Sequence, residues 1–332
     1  MKGLLLCLMI CIATGAAAQE PVTLQGQAQG TYYIIKFIAT GHDTAMLHED
    51  IRDIFQDIDR SLSLYHSGSL INRFNKGPKV VMDDHMRAVV KKAQEVSKLT
   101  DGSFDITVKP LVDLWGFGVT PHKNGRPSAE AIRRTLRVVG YQNLIIRAKY
   151  LIKKKDGVEI DCNGIAQGFT SDVLGRFLQS RGIRDFLVDV GGELVASGVN
   201  ARGLPWSVGI ERPPAAGNVE EPVQAILQLR DRAVATSGNY RRFFDDGGTR
   251  FAHTIDPKTG EALHNNIITV TVTAPDAITA DAYDNALILL GVEKGLQFVQ
   301  QHPKLKLEAY YIFKDAEGRI TERHSPNFFA AP

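Results

Sequence analysis

The chain has 332 residues, with 39 Lys and Arg against 37 Asp and Glu, a formal net charge of +2, and 44% hydrophobic residues. That balance supplies no basic field to gather nucleic acid, so any binding must come from a defined site.

Met1 and Lys2 precede an apolar run from Gly3 to Ile12, and Ala16-Ala17-Ala18 leads into Gln19. This is the pattern of a secretory signal peptide with an A-x-A cleavage site, residues 1–18. The run is too short for a dependable membrane span, and neither cysteine in it follows the small residues expected of a bacterial lipid anchor. The expectation is a soluble exported protein, periplasmic, with one unit over 19–332. Its roughly 310 residues suffice for one large domain or two lobes. Cleavage removes Cys7 and Cys11, leaving Cys162 without a disulfide partner and with a structural role. No repeat, low-complexity tract or Pro/Ser linker divides the rest.

Thr31 to Phe37 is rich in β-branched and aromatic residues and reads as an early strand. Leu47, Ile51, Ile54, Phe55, Ile58 and Leu62 recur at helical spacing, and a second helix covers Asp84 to Leu99 with Val89, Val90, Ala93 and Val96 inward. A third runs from Ala129 to Val138, opened by Pro127-Ser128 and closed by Gly140. Gly168 to Arg181 is helical and leads into the strand Phe186–Val190 and a Gly191-Gly192 turn. Short strands follow at Trp206–Glu211 and Ala225–Leu229. Ile268, Val270 and Val272 alternate with Thr269, Thr271 and Thr273, which predicts a half-buried strand. A helix starts near Ala280, and Leu307–Phe313 with Arg319–Glu322 forms a terminal hairpin. Strands and helices do not alternate regularly, so the fold class is α+β.

Several segments carry candidate chemistry. In Ala280-Asp281-Ala282-Tyr283-Asp284-Asn285, helical spacing puts Asp281, Asp284 and Asn285 on one face. Three hard oxygens beside apolar Ala286–Leu290 make a seat for Mg2+ or Ca2+; the same run also serves as an acidic first turn that complements the helix dipole. Asp161 to Asp172 is a Gly-bearing strand-to-helix turn, where small residues allow close backbone approach and free helix-start amides attract phosphate. It equally fits a tight turn that needs glycine for geometry alone. Trp115 and Phe117 can stack on a planar ring or fill a core, and Asp105 can accept from ring nitrogens or sugar hydroxyls. The polar, turn-rich stretches Ala235–Tyr240 and His253–Gly260 complete the set, with His253 able to orient or protonate phosphate.

Together these segments resemble the ApbE family, the FAD:protein FMN transferases, over nearly the whole mature chain. The matching blocks keep the family's order: Gly30-Thr31, Leu64-Tyr65 to Asn75, Asp101-Gly102 to Gly118, Asp161 to Asp172, Gly191-Gly192-Glu193, Thr236 to Tyr240, His253 to Gly260 and Ala280-Asp281. The resemblance implies a T-fold-like arrangement of mixed sheets with packed helices, in two lobes around a flavin-nucleotide groove. It implies FAD as substrate, Mg2+ bridging its phosphates, and transfer of FMN to a threonine hydroxyl of exported or membrane-bound redox proteins with release of AMP. It assigns Mg2+ to the Gly164 carbonyl, Asp281 and Asn285, with Asp284 as a further ligand or base and His253 as the other candidate base. It assigns flavin and nucleotide contacts to Gln29, Tyr65, Ser103, Phe104, Asp105, Asp161, Gln167 and His253. The chain departs from the family twice: Asn285 stands where most members have threonine, and Gln167 where many have lysine. Two alternatives use the same residues: an FAD pyrophosphatase with water as acceptor, and a flavin-binding protein without catalysis.

Overall fold

The computed structural model describes residues 21–38, 44–120, 125–212, 223–239, 243–246 and 249–331. The expected signal peptide lies outside them. The chain enters through β1 (Val22–Ala28) and β2 (Thr31–Ile38), then α1 (Thr44–Leu62), α2 (Leu70–Lys76), β3 (Lys79–Val81) and α3 (Asp84–Leu99). Short helices α4 (Lys109–Leu114) and α5 (Ala129–Leu136) precede β4 (Leu144–Arg147), β5 (Tyr150–Lys153) and α6 (Ala166–Ser180). Next come β6 (Asp185–Val190), β7 (Glu193–Ser197), β8 (Trp206–Glu211), β9 (Val223–Leu229) and β10 (Arg232–Gly238). β11 (Phe243–Asp246), β12 (Thr249–Ala252), β13 (Ile267–Ala274), α7 (Ala277–Leu290), α8 (Val292–Gln301), β14 (Glu308–Lys314) and β15 (Ile320–His324) complete the α+β architecture.

Eight strands form one antiparallel sheet in the order β1-β2-β6-β7-β10-β13-β14-β15. Inward residues of β2, Tyr33, Ile35 and Phe37, meet the apolar stripe of α1 and the Leu174 and Leu178 side of α6. Helices α3 and α7 pack over β13 through Val89, Val90, Ala280 and Leu287. The hairpin β8–β9 is a second, smaller sheet whose Trp206, Ile210 and Leu227 share a core with Leu194, Val234 and Tyr310 of the main one. A satellite core joins α4 and α5 to the segment after β11 through Leu111, Trp115, Ile132, Phe251 and Ile255. Among the described residues no helix is long and apolar enough to cross a membrane.

The structure corrects three sequence expectations and decides one left open. β13 is buried on both faces: Thr269, Thr271 and Thr273 are no more than 3% exposed. Two of the three hydroxyls are bonded across strands, Thr271 Oγ1 to Thr236 Oγ1 at 2.9 Å and Thr273 Oγ1 from Arg232 at 2.9 Å, whereas the buried Thr269 hydroxyl has no partner among the described residues. The stretch read as turn-rich at Ala235 is the central strand β10, whose buried Ala233 and Ala235 are small. Tyr240, at its end, lies outside the described residues. Helix α7 begins at Ala277 with Asp276 as N-cap, so its first turn holds no acid and the dipole reading of Asp281 and Asp284 falls. Trp115 is core: it is 3% exposed and its Nε1 donates to the Gly260 carbonyl at 2.8 Å. Cys162 is buried and unpaired, and burial pushes its thiol pKa up, so it is inert packing.

One contact positions everything that follows. Helices α6 and α7 cross so closely that a Cβ on Gly168 would stand 2.3 Å from the Ala277 carbonyl oxygen and 2.7 Å from the Asp281 Cβ. Gly168→Ala is therefore expected to destabilise the protein by ~1–3 kcal/mol through overpacking, read as a lower urea midpoint at unchanged slope. A midpoint equal to the parent's would contradict this crossing.

Candidate active site

A cavity of ≈ 980 Å³ opens between the α6–α7 face of the main sheet and the segments around Ser103 to Phe117 and His253 to Pro257. That is ample for a dinucleotide-sized ligand. All the residues assigned by resemblance line it: Gln29, Tyr65, Ser103, Phe104, Asp105, Asp161, Gly164, Gln167, His253, Asp281, Asp284 and Asn285.

Its floor is the acidic face of α7. Spacing of three and four residues brings Asp281, Asp284 and Asn285 together, as expected of a helix. Asp281 is 3% exposed, and its Oδ2 accepts from the Gly168 amide at 2.9 Å. Asp284 is 1% exposed, and its Oδ1 accepts from Asn285 Nδ2 at 2.8 Å. The same Nδ2 also donates to the Asp281 backbone carbonyl at 3.0 Å and the Gly164 carbonyl at 3.4 Å. The Asn285 amide thus turns its nitrogen, not the expected oxygen, toward the oxygens around it.

Over this floor lies the turn that opens α6. Asp161 accepts from the Asn163 amide at 2.7 Å, an Asx turn that presents Gly164. The helix-start amides expected to receive phosphate are partly occupied: Ala166 donates to the Cys162 carbonyl at 2.9 Å and Gly168 to Asp281. The positive end of α6 is therefore used first to hold a carboxylate.

The remaining walls come from distant segments. Gln29 and Gly30 both have positive φ, 51° and 75°, in the two-residue turn joining β1 to β2. A glutamine at positive φ is strained; its side chain hydrogen-bonds Asp59, and its Oε1 lies 3.2 Å from the Thr170 hydroxyl, which also donates to the Ala166 carbonyl at 2.7 Å. Tyr65 stands at the rim, 66% exposed. Phe117 meets His253 edge-on at 6.5 Å. Asp105 is committed internally, accepting from the Thr107 amide and hydroxyl and from the Tyr141 amide at 2.8, 2.7 and 2.6 Å. It shapes the Ser103–Phe104 wall, and those bonds occupy the oxygens expected to reach a ligand.

Sequence reasoning missed Asp59, Thr31 and Glu193 as lining residues. Asp59 sits on the buried side of an ordinary amphipathic helix and gave no signal, whereas Glu193 followed a recognised Gly191-Gly192 turn. Glu193 matters electrostatically. Burial raises the Asp284 pKa well above the usual carboxylate range, and the charges of Asp281 and Glu193 add to it. Burial likewise pushes Asp281 up to about 7, opposed by the Gly168 amide and reinforced by Asp172.

Among the described residues no three His, Cys, Asp or Glu side chains stand close enough to hold a metal alone. The set that does converge is all hard oxygen: two carboxylates, the Gly164 carbonyl and, if the amide turns, Asn285 Oδ1. Mg2+ is commonly held by one or two carboxylates and completed by substrate phosphates, so residues and ion fit. The sign of the pH effect follows. Acids whose folded pKa lies above the unfolded value retain protons that the unfolded chain releases, so stability falls as pH rises through about 4 to 7. In EDTA the urea midpoint is expected to be higher at pH 5 than at pH 8, with Asp281→Asn shrinking the difference; a pH-independent midpoint would refute the buried, uncompensated acids.

Comparison with known proteins agrees with this geometry. The sequence model of the ApbE family matches residues 29–310. A Haemophilus influenzae FAD:protein FMN transferase is 33% identical over 315 residues, covering 92% of this chain and 90% of its own. The Escherichia coli K12 FAD:protein FMN transferase is 35% identical over 321 residues, covering 94% and 89%. The solved flavin transferase ApbE from Vibrio cholerae superposes with a TM-score of 0.85 at 33% identity, covering 94% of this chain and 99% of that one. The chain belongs to the ApbE family.

Proposed function

We propose that this member of the ApbE family is an FAD:protein FMN transferase that moves the FMN moiety of FAD onto a threonine hydroxyl of an acceptor protein. The observation that carries the reading is convergence: residues from Gln29 to Asn285, far apart in the chain, line one cavity around a buried acidic helix face. The names of the relatives support the reaction class. The apolar leader at residues 3–12 supports export, which would place the acceptor among periplasmic or membrane-bound redox proteins.

In the reaction the threonine oxygen attacks the phosphorus of the FMN phosphate, the phosphoanhydride bond to the adenylate breaks, and AMP leaves. Positioning and charge neutralisation carry most of such a transfer. Gly164, Asp281, Asp284 and a turned Asn285 would hold Mg2+, which when bound offsets the charge of the diphosphate. Asp284 takes the hydroxyl proton only if it stays off the cation, its burial beside Asp281 and Glu193 then favouring the protonated form. His253, across the cavity beside Phe117, is the other group able to take it. Gln167 lines the phosphate end as a neutral hydrogen-bonding group, so charge there falls to the cation.

The test is incubation with FAD, Mg2+ and an acceptor peptide carrying a threonine, followed by mass spectrometry. An FMN-sized gain on the threonine is expected; AMP release without any gain would mark hydrolysis and overturn the reading. Asp281→Ala is expected to lower the transfer rate by ~100-fold or more, as for loss of one electrostatic stabiliser in a preorganised site. Activity at the parent level would remove Asp281 from the site. Asn285→Thr is expected to match or exceed the parent, since it removes the amide that competes with a cation for three oxygens.

A further inference from the structure

We infer that Asp172 is a positioning residue for the acidic floor: it fixes the start of α7 on α6 and thereby sets where Asp281 stands. The inference rests on the proposed function, because what it positions is the cation-holding face.

The geometry is reciprocal. Each helix begins with amides that have no partner inside the helix. Asp172, 6% exposed on α6, takes the first two amides of α7: Ala277 donates to Oδ1 at 2.8 Å and Ile278 to Oδ2 at 2.9 Å. Asp281, on α7, takes the Gly168 amide in the first turn of α6 at 2.9 Å. Gly168 and Asp172 are four apart on one helix, as are Ala277 and Asp281 on the other, so the three bonds form two adjacent rungs across one crossing, one at each carboxylate. A single rung would let the helices pivot about it. Two rungs fix both the register and the angle.

The helix start has a second cap besides Asp172. The N-cap Asp276 already accepts from the Thr279 amide at 3.0 Å, and its carbonyl receives Ala280 at 3.2 Å. What Asp172 adds is the bridge to α6, the helix whose leading turn carries Gly164. The Gly164 carbonyl and the α7 carboxylates belong to segments more than 110 residues apart, and this crossing fixes their separation. Charged groups acting on Asp172 come from its own helix, Arg176, and from α7 and its cap, Asp281 and Asp276.

The experiment titrates Mn2+ by electron paramagnetic resonance into the FAD-loaded full chain, comparing the parent with Asp172→Asn and Asp276→Ala. D172N keeps the shape but offers one acceptor where two are needed. It is expected to bind Mn2+ ~10–100-fold more weakly, the usual effect of losing a group that orients a ligand. D276A removes a cap from the same helix end without touching α6, and is expected to leave Mn2+ affinity unchanged although its urea midpoint drops. Unchanged affinity in D172N, or equal losses in the two variants, overturns the inference. If D172N does not fold, hydrogen exchange in the parent decides: Mg2+ with FAD should slow the Gly168, Ala277 and Ile278 amides together, and slowing of Gly168 alone overturns it. A parent that binds no Mn2+ would instead remove the proposed metal-dependent function.

Discussion

The exchange of carboxylates between α6 and α7 is the constraint on which the site depends. Two helix starts, each with unsatisfied amides, are buried against one another, and buried amides must find acceptors. Asp172 and Asp281 supply them, and only small residues at the crossing allow the approach: Gly168, Ala277 and Ala280 are all buried there. Once this crossing is set, the Asx turn at Asp161 carries Gly164 over α7 to within reach of Asn285. The cavity floor is thus referenced to one internal contact, while its walls come from elements that pack on the sheet independently.

The same contact concentrates negative charge. Asp172, Asp281, Asp284 and Glu193 interact across a small volume, and three of them are nearly inaccessible to water. Each amide that donates to them lowers the cost of ionisation but does not cancel the mutual repulsion. A fold tolerates such a cluster where something else supplies positive charge or where a proton is kept. The stability given up here is offset elsewhere, by the apolar cores on both faces of the main sheet. The Mg2+ of the proposed function would relieve that repulsion on binding.

What the sequence revealed and what it hid divide along the same physical line. Periodicity is a local property, so α1 and α3 and the shared face of Asp281, Asp284 and Asn285 were legible from spacing alone. The acidic segment was read as a helix start because Ala280 begins a conspicuous run, although the true cap, Asp276, lies four residues earlier. Alternation of threonine with valine looked like a half-exposed strand, since the β8–β9 hairpin that covers its second face is distant in sequence and gives no sign in it. Trp115 was left between stacking platform and core because an aromatic's partner, here the Gly260 carbonyl, is 145 residues away. Asp172 was invisible for the same reason: its partners are backbone amides 105 and 106 residues distant. Edge strand β1 has only Leu24 buried and carried little apolar signal.

Asn285 joins these threads. A threonine at that position offers one hydroxyl, which can coordinate a cation and donate to one acceptor. Asparagine offers an oxygen at one end of its amide and two protons at the other, and the structure turns the proton end toward Asp284, Asp281 and Gly164. In that orientation the amide partly offsets the carboxylate charge, and the floor stays closed. Turning it over costs the two good hydrogen bonds, net about 1 kcal/mol each and somewhat more for the one to a carboxylate. A cation seated on the floor must recover that amount from the same oxygens before it gains anything. In the proposed function the asparagine would set a threshold for Mg2+ that a hydroxyl would not, and the diphosphate of FAD, contributing its own oxygens, would lower that threshold and couple the cation's arrival to the nucleotide's.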